Sequence, residues 1–406
     1  MSNDHSVQER AIHWPVDASG VVRQLLVDVT DLASADRGTG IQRVTRSILG
    51  EWLTHPPHGY RVEPVYLEPE AKGYRYARRL RNQFVEDEVT DTDEDFVVFG
   101  SSDIFLGLDL LFLNPALICD HTRRYFRGLK EQGVNVRFVV YDLLPIKFPE
   151  YFPAGEHYDL FVDWLKIVSE ATGAVCISRS VAHDLKARLG TVGWLRPEFI
   201  INHFYIGADI ESTACSVGLP ESAFSTLAQI KARPSFLVVG TIEPRKGHRQ
   251  MLDALEWLWA EGVDINLVFV GQTGWMVDAL VERMGQHPEL GRRFFWLEGI
   301  SDEYLLSVYR SVTCLVASSE GEGFGLPTIE AARAGLPIVA RDLPVNREIC
   351  SHFARYFSSD TPVELGGFLR QWLQDWRNEI VPDSSKVTLL TWRESAEKLF
   401  LACNKY

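Results

Sequence analysis

The sequence is poor in the features that fix metals, crosslinks or membranes. Its six cysteines, Cys119, Cys176, Cys215, Cys314, Cys350 and Cys403, are scattered, with no CxxC pair and no metal-ligand spacing. Cys176 and Cys314 lie inside apolar strand-like runs and read as small core residues. The pattern argues against a disulfide framework and fits a reducing, cytoplasmic setting. No stretch reaches the roughly 18 consecutive apolar residues of a membrane span. Residues 1–20 are polar and lack the apolar core of a signal peptide, so membrane contact is expected to be peripheral only. A surplus of basic charge is also missing. The net charge of -14 argues against nucleic-acid binding, because phosphate backbones are held by basic surfaces. There is no internal repeat and no low-complexity segment.

What remains is an ordinary globular balance of 46% hydrophobic and 24% charged residues over 406 positions. That length suits two domains of about 150–200 residues each. Strand signals at Val21–Val29, Tyr60–Tyr66, Phe96–Phe99, Val136–Tyr141 and Gly173–Ile177 alternate with helical patterns at Ile41–Leu49, Asp159–Glu170 and Ser180–Leu189. Glu68 to Asp95 is of mixed charge without a clear period and reads as a partly helical insertion or long loop. A second alternating series starts near Pro234, with strands at Phe236–Val239, Asn266–Val270, Arg293–Leu297, Cys314–Ala317 and Ile338–Ala340, the last being the final strand expected. This pattern predicts an α/β protein of two parallel-sheet domains whose ligand sits beyond the strands' carboxyl ends, in the crevice between them. The divisions read from the sequence are a tail over 1–20, a first domain over 21–206, a linker over 207–233, a second domain over 234–382 and a terminal helix over 383–406.

Two segments carry the chemistry. In the first, Ser318-Ser319-Glu320-Gly321-Glu322-Gly323-Phe324-Gly325-Leu326-Pro327-Thr328-Ile329-Glu330, a strand ends, a glycine-rich loop follows, and Pro327 opens a helix. Loop amides and the helix N-terminus make an anion site suited to a phosphate, with Gly325, Leu326 and Thr328 as amide donors. Glu322 and Glu330 flank that site and need hydroxyl or cationic partners, which sugar and ribose hydroxyls would supply. The plain alternative is a capping loop with two solvated glutamates. In the second segment, Gly240-Thr241-Ile242-Glu243-Pro244-Arg245-Lys246-Gly247-His248, adjacent cations at a strand end can neutralise a departing diphosphate. Its alternative is an exposed basic turn.

Together these segments resemble the retaining family 4 glycosyltransferases, strongly over Phe236 to Glu348 and more loosely over Val21 to Asp209. The resemblance implies the GT-B fold: two Rossmann-like domains facing across a cleft, with a C-terminal helix crossing back to the first. It places Glu322 near the transferred sugar, Glu330 on the ribose hydroxyls, Arg245 and Lys246 on the leaving diphosphate, and the amides of Gly323, Phe324, Gly325 and Leu326 on the sugar and its phosphate. Gly240, Thr241, Glu243, Gly271 and Thr328 join the donor set, and main-chain groups near Gly299 and Ile300 would read the base. Gly38-Thr39-Gly40-Ile41-Gln42-Arg43 resembles the family's first glycine loop, with Gly38 and Gly40 near the phosphates, although alone it reads as a plain strand-to-helix turn. Tyr141-Asp142-Leu143-Leu144-Pro145 resembles a family segment that starts with His. Asp142 is expected either to orient a substrate hydroxyl or to cap a turn. Tyr141 and Ser178 are expected on the acceptor side, Ser178 ahead of the helix that Ser180 could N-cap. Asp103 and His121 are weaker candidates for the crevice.

The subgroup most similar is the bacterial O-antigen and capsule mannosyltransferases. That likeness implies GDP-mannose as donor and a glycan or undecaprenyl-diphosphate-linked acceptor, with front-face displacement and no metal or other cofactor. A UDP- or dTDP-sugar donor is the first alternative. A sugar phosphorylase and a catalytically silent glycan-binding protein of the same fold are the others. The letters Asp91-Thr92-Asp93 read as a solvated acidic run rather than a metal motif. Tyr74 to Arg81 is basic and aromatic and suits an anionic headgroup at the inner membrane face, or else a helix laced to the acidic run Glu86–Asp95.

Overall fold

The computed structural model describes residues 22–68, 73–85, 95–210 and 216–405. Two sheets organise it. The first contains β1 (Gln24–Asp28), β2 (Arg61–Tyr66), β3 (Arg75–Tyr76), β4 (Ile104–Gly107), β5 (Asn135–Val140), β6 (Gly173–Cys176) and β7 (Ile200–His203). Their order is β3-β2-β1-β4-β5-β6-β7, parallel throughout except for the β2–β3 pair. The second contains β8 (Ser235–Val239), β9 (Asn266–Val270), β10 (Phe294–Leu297), β11 (Cys314–Ala317), β12 (Ile338–Arg341) and β13 (Arg355–Phe357), in the wholly parallel order β10-β9-β8-β11-β12-β13. β1, β4, β6 and β9 are buried at every position, as strands must be when helices cover both faces. This is the GT-B arrangement expected from the sequence.

The order of each sheet reverses at one place, between β1 and β4 in the first and between β8 and β11 in the second. Loops leaving adjacent strands on either side of such a point diverge and open a crevice at the carboxyl ends. Both chemistry-bearing segments therefore start at the second switch point, one from β8 and the other from β11.

The last helix, Trp392–Asn404, is capped by Thr391 in a capping box with Glu394. It leaves the second domain and seals the first. Trp392, Leu399, Ala402 and Cys403 are buried in the N-terminal core. Asn135 and Asn202 donate to the carbonyls of Cys403 and Ala402 at 3.0 and 2.8 Å. The backbone amide of Trp392 donates to Asp209 at 2.7 Å, and Gly207 has no room for a side chain, since a Cβ there would sit 2.6 Å from the Trp392 ring.

Several expectations need correction. Phe96–Phe99 forms only an isolated bridge through Phe96, and the edge-to-core strand is β4, a few residues later. Both runs are short and apolar, but only Ile104–Gly107 pairs along its whole length, buried between β1 and β5. β12 is not the last strand, because β13 follows it at the sheet edge, short and with Arg355 exposed. β7 was not anticipated either. The stretch read as a linker contains a helix, Ser222–Lys231, whose Ala223 and Ile230 are fully buried among second-domain residues. Residues 211–215, with Cys215, the tail 1–21, and Asp91-Thr92-Asp93 lie outside the described residues.

Tyr74 to Arg81 is not an aromatic surface. Tyr74, Ala77 and Leu80 are core residues, the Tyr74 hydroxyl donates to Asp28 at 2.9 Å, and Arg78 pairs with Asp95 at 3.2 Å. The short helix Arg78–Arg81 turns Leu80 inward and leaves Arg79 exposed and Arg78 tied to Asp95. Among the described residues no helix is long and apolar enough to cross a membrane.

Candidate functional site

The turn after β8 and the loop after β11 meet face to face. Lys246 Nζ lies 2.6 Å from Glu322 Oε1, and Arg245 reaches the same carboxylate at 3.8 Å. The backbone locks this contact. Arg245 donates to the Gly321 carbonyl at 3.0 Å, Glu320 N–H donates to the Arg245 carbonyl at 2.8 Å, and the Ser318 hydroxyl donates to the Lys246 carbonyl at 2.7 Å. Gly247 completes the turn at φ 74°, where a side chain would be strained and its Cβ would lie 2.6 Å from the Ser318 carbonyl oxygen. Glu243, 2% exposed, holds Arg245 at 2.6 Å, so the guanidinium is fixed from both sides.

The helix Leu326–Arg333 begins beside this cluster, one residue earlier than the sequence implies, with left-handed Gly325 before it and no side chain capping its first amides. Uncapped amides at a helix start, next to two adjacent cations, form a place for a diphosphate.

The N-terminal domain closes the site. The loop through Gly321 and Gly323 is pressed against the residues after β5. A Cβ on Gly323 would come within 1.9 Å of the Tyr141 carbonyl oxygen, and one on Gly321 within 2.6 Å of the Leu144 side chain. Ser178 N-caps the helix Arg179–Thr191 by accepting from Val181 N–H at 3.1 Å, while its hydroxyl donates to the Gly323 carbonyl at 2.8 Å. Gly40 stands against the Leu326 side chain, with 3.3 Å to an added Cβ. Gly38 takes the left-handed turn, φ 62°, that leads into the helix Gly40–Thr54.

Charges in the site fall into two groups. Burial pushes the Glu322 carboxyl up, but Lys246 and Arg245 outweigh it and hold it below the ordinary glutamate range. Burial dominates at Asp142, Glu243 and Glu330 and raises each, against the opposing pull of Arg245 on the first two and of Arg43 on Glu330. Glu322 is thus the firmly ionised carboxylate beside the cation pair. Asp142 caps the turn after β5, accepting from Leu144 N–H at 3.0 Å, and feels the pull of Arg245 and Lys246.

Glu330 has partners the sequence did not disclose. Arg43, from the first domain, donates to Glu330 Oε1 at 2.7 Å and also engages Asp302, while the Tyr309 hydroxyl donates to Oε2 at 2.8 Å. A carboxylate has further lone pairs for a ribose hydroxyl. The Arg43 side chain stands in the first glycine-loop motif, yet nothing local indicates that it would cross to the other domain.

The remaining candidates divide. Gly271 and Gly240 are packing positions as much as ligand positions, since a Cβ on Gly271 would strike the Gly240 carbonyl at 1.9 Å. Thr241 is exposed at the mouth, and Thr328 is buried under Gly325. Gly299 is left-handed, φ 64°, and precedes the half-buried Ile300 in the loop after β10. Phe324 points its ring into the N-terminal core beside Tyr205, leaving only its backbone for a ligand. Tyr141 departs from the acceptor-side expectation. Its ring is 5% exposed and its hydroxyl donates to the Leu108 carbonyl at 2.8 Å, inside the first domain. Asp103 ties the amino ends of β1 and β4 by accepting from Gln24 N–H at 2.8 Å, the side opposite the crevice, and His121 is exposed on the helix Asp120–Glu131.

Comparison with known proteins agrees with this geometry. The family described as "Glycosyl transferases group 1" matches residues 223–381, which hold both halves of the site. The serotype-specific mannosyltransferase WbdA of Escherichia coli is 41% identical over 382 residues, covering 93% of this chain and 44% of that protein. The chain thus spans less than half the length of that relative. Among solved structures, HepE of Anabaena in complex with UDP superposes with a TM-score of 0.57 at 16% identity, covering 94% of this chain and 97% of that one. The structure of OtsA without ligand gives 0.62 at 12% identity, covering 95% and 99%. At such identities the superpositions establish the fold.

Proposed function

We propose that the chain, whose residues 223–381 match the group 1 glycosyl transferases, is a retaining mannosyltransferase using GDP-mannose to extend a glycan, free or lipid-linked, in O-antigen or related polysaccharide synthesis. The observation that carries the reading is the 2.6 Å contact between Lys246 and Glu322, with Arg245 beside them at an uncapped helix start. The mannosyltransferase WbdA, similar along nearly the whole chain, supports the choice of sugar. A cytoplasmic location, peripheral at the inner membrane face, belongs to the same proposal.

In this reading the bond from the anomeric carbon to the donor phosphate oxygen breaks while the acceptor oxygen bonds to that carbon on the same face. The acceptor's proton passes to the departing phosphate. Arg245, Lys246 and the amides at Leu326 take up the charge that develops on the diphosphate, a role worth two to three orders of magnitude in rate for a single well-placed donor. Two adjacent cations beside the proposed diphosphate position support a metal-independent transfer. Glu322 lies across from them, next to the transferred sugar, and Glu330 is reserved for the ribose.

The test is transfer from GDP-mannose to a mannose oligosaccharide, with UDP- and dTDP-sugars as competitors and EDTA present in one arm. NMR of the product should show an α-linked mannose, formed at equal rate with EDTA. A β-linked product would reject retention, and loss of transfer in EDTA would reject metal independence.

A further inference from the structure

The helix Arg179–Thr191 belongs to the first domain, yet its first turn is completed by the second. Glu348, on the helix Pro344–Cys350, sets its carboxylate against the amides at that start. Its Oε1 accepts from Arg179 N–H at 2.7 Å, and its Oε2 accepts from Ser180 N–H at 2.8 Å and from the Ser180 hydroxyl at 2.6 Å. The glutamate side chain is 6% exposed, and the largely exposed Arg179 guanidinium lies 3.6 Å away. Amides at a helix start lack intrahelical partners and carry partial positive charge, so an ionised carboxylate suits them. Burial pushes the Glu348 carboxyl up, but the Ser180 hydroxyl, the two amides and Tyr205 outweigh it and hold it below the ordinary glutamate range.

An N-cap normally comes from the residue just before its helix. Here Ser178 takes the Val181 amide, and Glu348 takes the two amides before it. The same Ser178 hydroxyl donates to the Gly323 carbonyl at 2.8 Å, one residue after Glu322. Tyr205, whose hydroxyl faces Glu348, packs its ring against Phe324 with centroids 5.8 Å apart. Two first-domain groups that grip residues 323 and 324 thus stand beside one second-domain carboxylate. Glu348 lies in neither donor loop, and both its oxygens already have protein donors, which suits an anchor rather than a ligand contact.

We propose that Glu348 is a positioning residue: it anchors the start of the helix Arg179–Thr191 and, through Ser178 and Tyr205, fixes the backbone that sets Glu322 against Lys246. Its effect on rate rests on the transferase reading, whereas the coupling of the two segments rests on the contacts alone. With the anchor gone, Glu322 keeps its cations but loses its fixed place relative to the first domain. A misplacement of about 1 Å between reacting groups costs up to about 10²-fold in rate. The groups proposed to hold GDP lie in the second domain and stay as they are.

Hydrogen–deuterium exchange of the full chain reads the coupling without substrate. In Glu348→Gln, which keeps the shape and loses the charge, the amides of 178–182 and of 321–325 should both exchange at least about tenfold faster, with the strand Ser235–Val239 unchanged. Ser180→Ala, which removes one bond and no charge, should speed the same two segments by a smaller factor. With GDP-mannose as donor, kcat of Glu348→Gln should fall at least about tenfold, while KM for the donor and the affinity for GDP stay within about twofold. Unchanged exchange in 321–325 overturns the coupling, whatever the helix start does. An unchanged kcat, or a loss of GDP affinity as large as the loss of kcat, overturns the positioning role. Faster exchange at Ser235–Val239 in both variants would assign Glu348 to global stability and likewise overturn it. If the unaltered chain transfers no sugar, the transferase reading fails, and the exchange rates still decide whether Glu348 holds the loop.

Discussion

Arg43 of the first domain and Glu330 of the second form an ion pair at 2.7 Å across the domain boundary. The glutamate side chain is 4% exposed and the arginine 30%. Removing the arginine strands a buried carboxylate that burial already raises toward protonation. Arg43→Ala is expected to destabilise the closed chain by about 2 kcal/mol, below the full figure for a wholly buried pair because Arg43 is partly solvated. Denaturant unfolding of Arg43→Ala, Glu330→Gln and the double variant checks this. The double variant should recover part of the loss, and strict additivity would mean that the two side chains are not coupled.

In the proposed transfer Lys246 and Arg245 serve the leaving group. Lys246→Ala should lower kcat by about 10²–10³-fold, far more than the modest fall in thermal midpoint expected from leaving Glu322 with Arg245 alone. Steady-state kinetics beside a melting curve decide it. A fall in midpoint large enough to unfold the protein at assay temperature would assign the residue to structure.

Gly323 lies so close to Tyr141 that a methyl group cannot enter without moving two backbones. Gly323→Ala should keep both domains folded but hold them apart, cutting transfer by about 10²-fold through lost alignment. Small-angle scattering is expected to show a larger radius of gyration, whereas an unchanged radius with full activity would refute domain contact at this loop.

His248 is 1% exposed, has no hydrogen-bond partner on either ring nitrogen, and is held down to about 3 by burial, with Lys246 adding to the effect. The unfolded imidazole, near 6.5, binds a proton that the folded one refuses. Its contribution to stability is therefore present above pH 6.5 and is lost as pH falls toward 3, amounting to about 2 kcal/mol between pH 6.5 and 5. Urea midpoints at pH 7.5 and 5 should differ less in His248→Phe, whose ring can keep the edge contact made with Phe269 at 4.8 Å. Equal pH slopes would show that the imidazole is not the group responsible.

The meeting of the two second-domain loops was legible because each loop's parts are local. Arg245 and Lys246 follow one strand, Glu322 and Gly325 follow its neighbour in the sheet, and the glycines mark where backbones approach. The side chains that act across the boundary were not legible. Arg43 sits in a helix whose spacing reports only its own buried face, and its engagement with Glu330 depends on how two domains dock. Tyr141 misled for a related reason. Strand alternation does not tell which of two buried environments a ring enters, and it turned back to Leu108. Phe96–Phe99 and Ile104–Gly107 are both brief apolar runs, and only pairing with β1 and β5 distinguishes the real strand.

Leu399 and Cys403 lie at the far end of the chain and yet are wholly buried among residues of the first domain. Chains emerge from the ribosome amino end first, so the opening half must wait, with part of its interior uncovered, until the final helix arrives. Severing the two halves between β7 and β8 would consequently yield an amino-terminal fragment missing its own lid, and adding the peptide 391–405 in trans is the natural way to restore it.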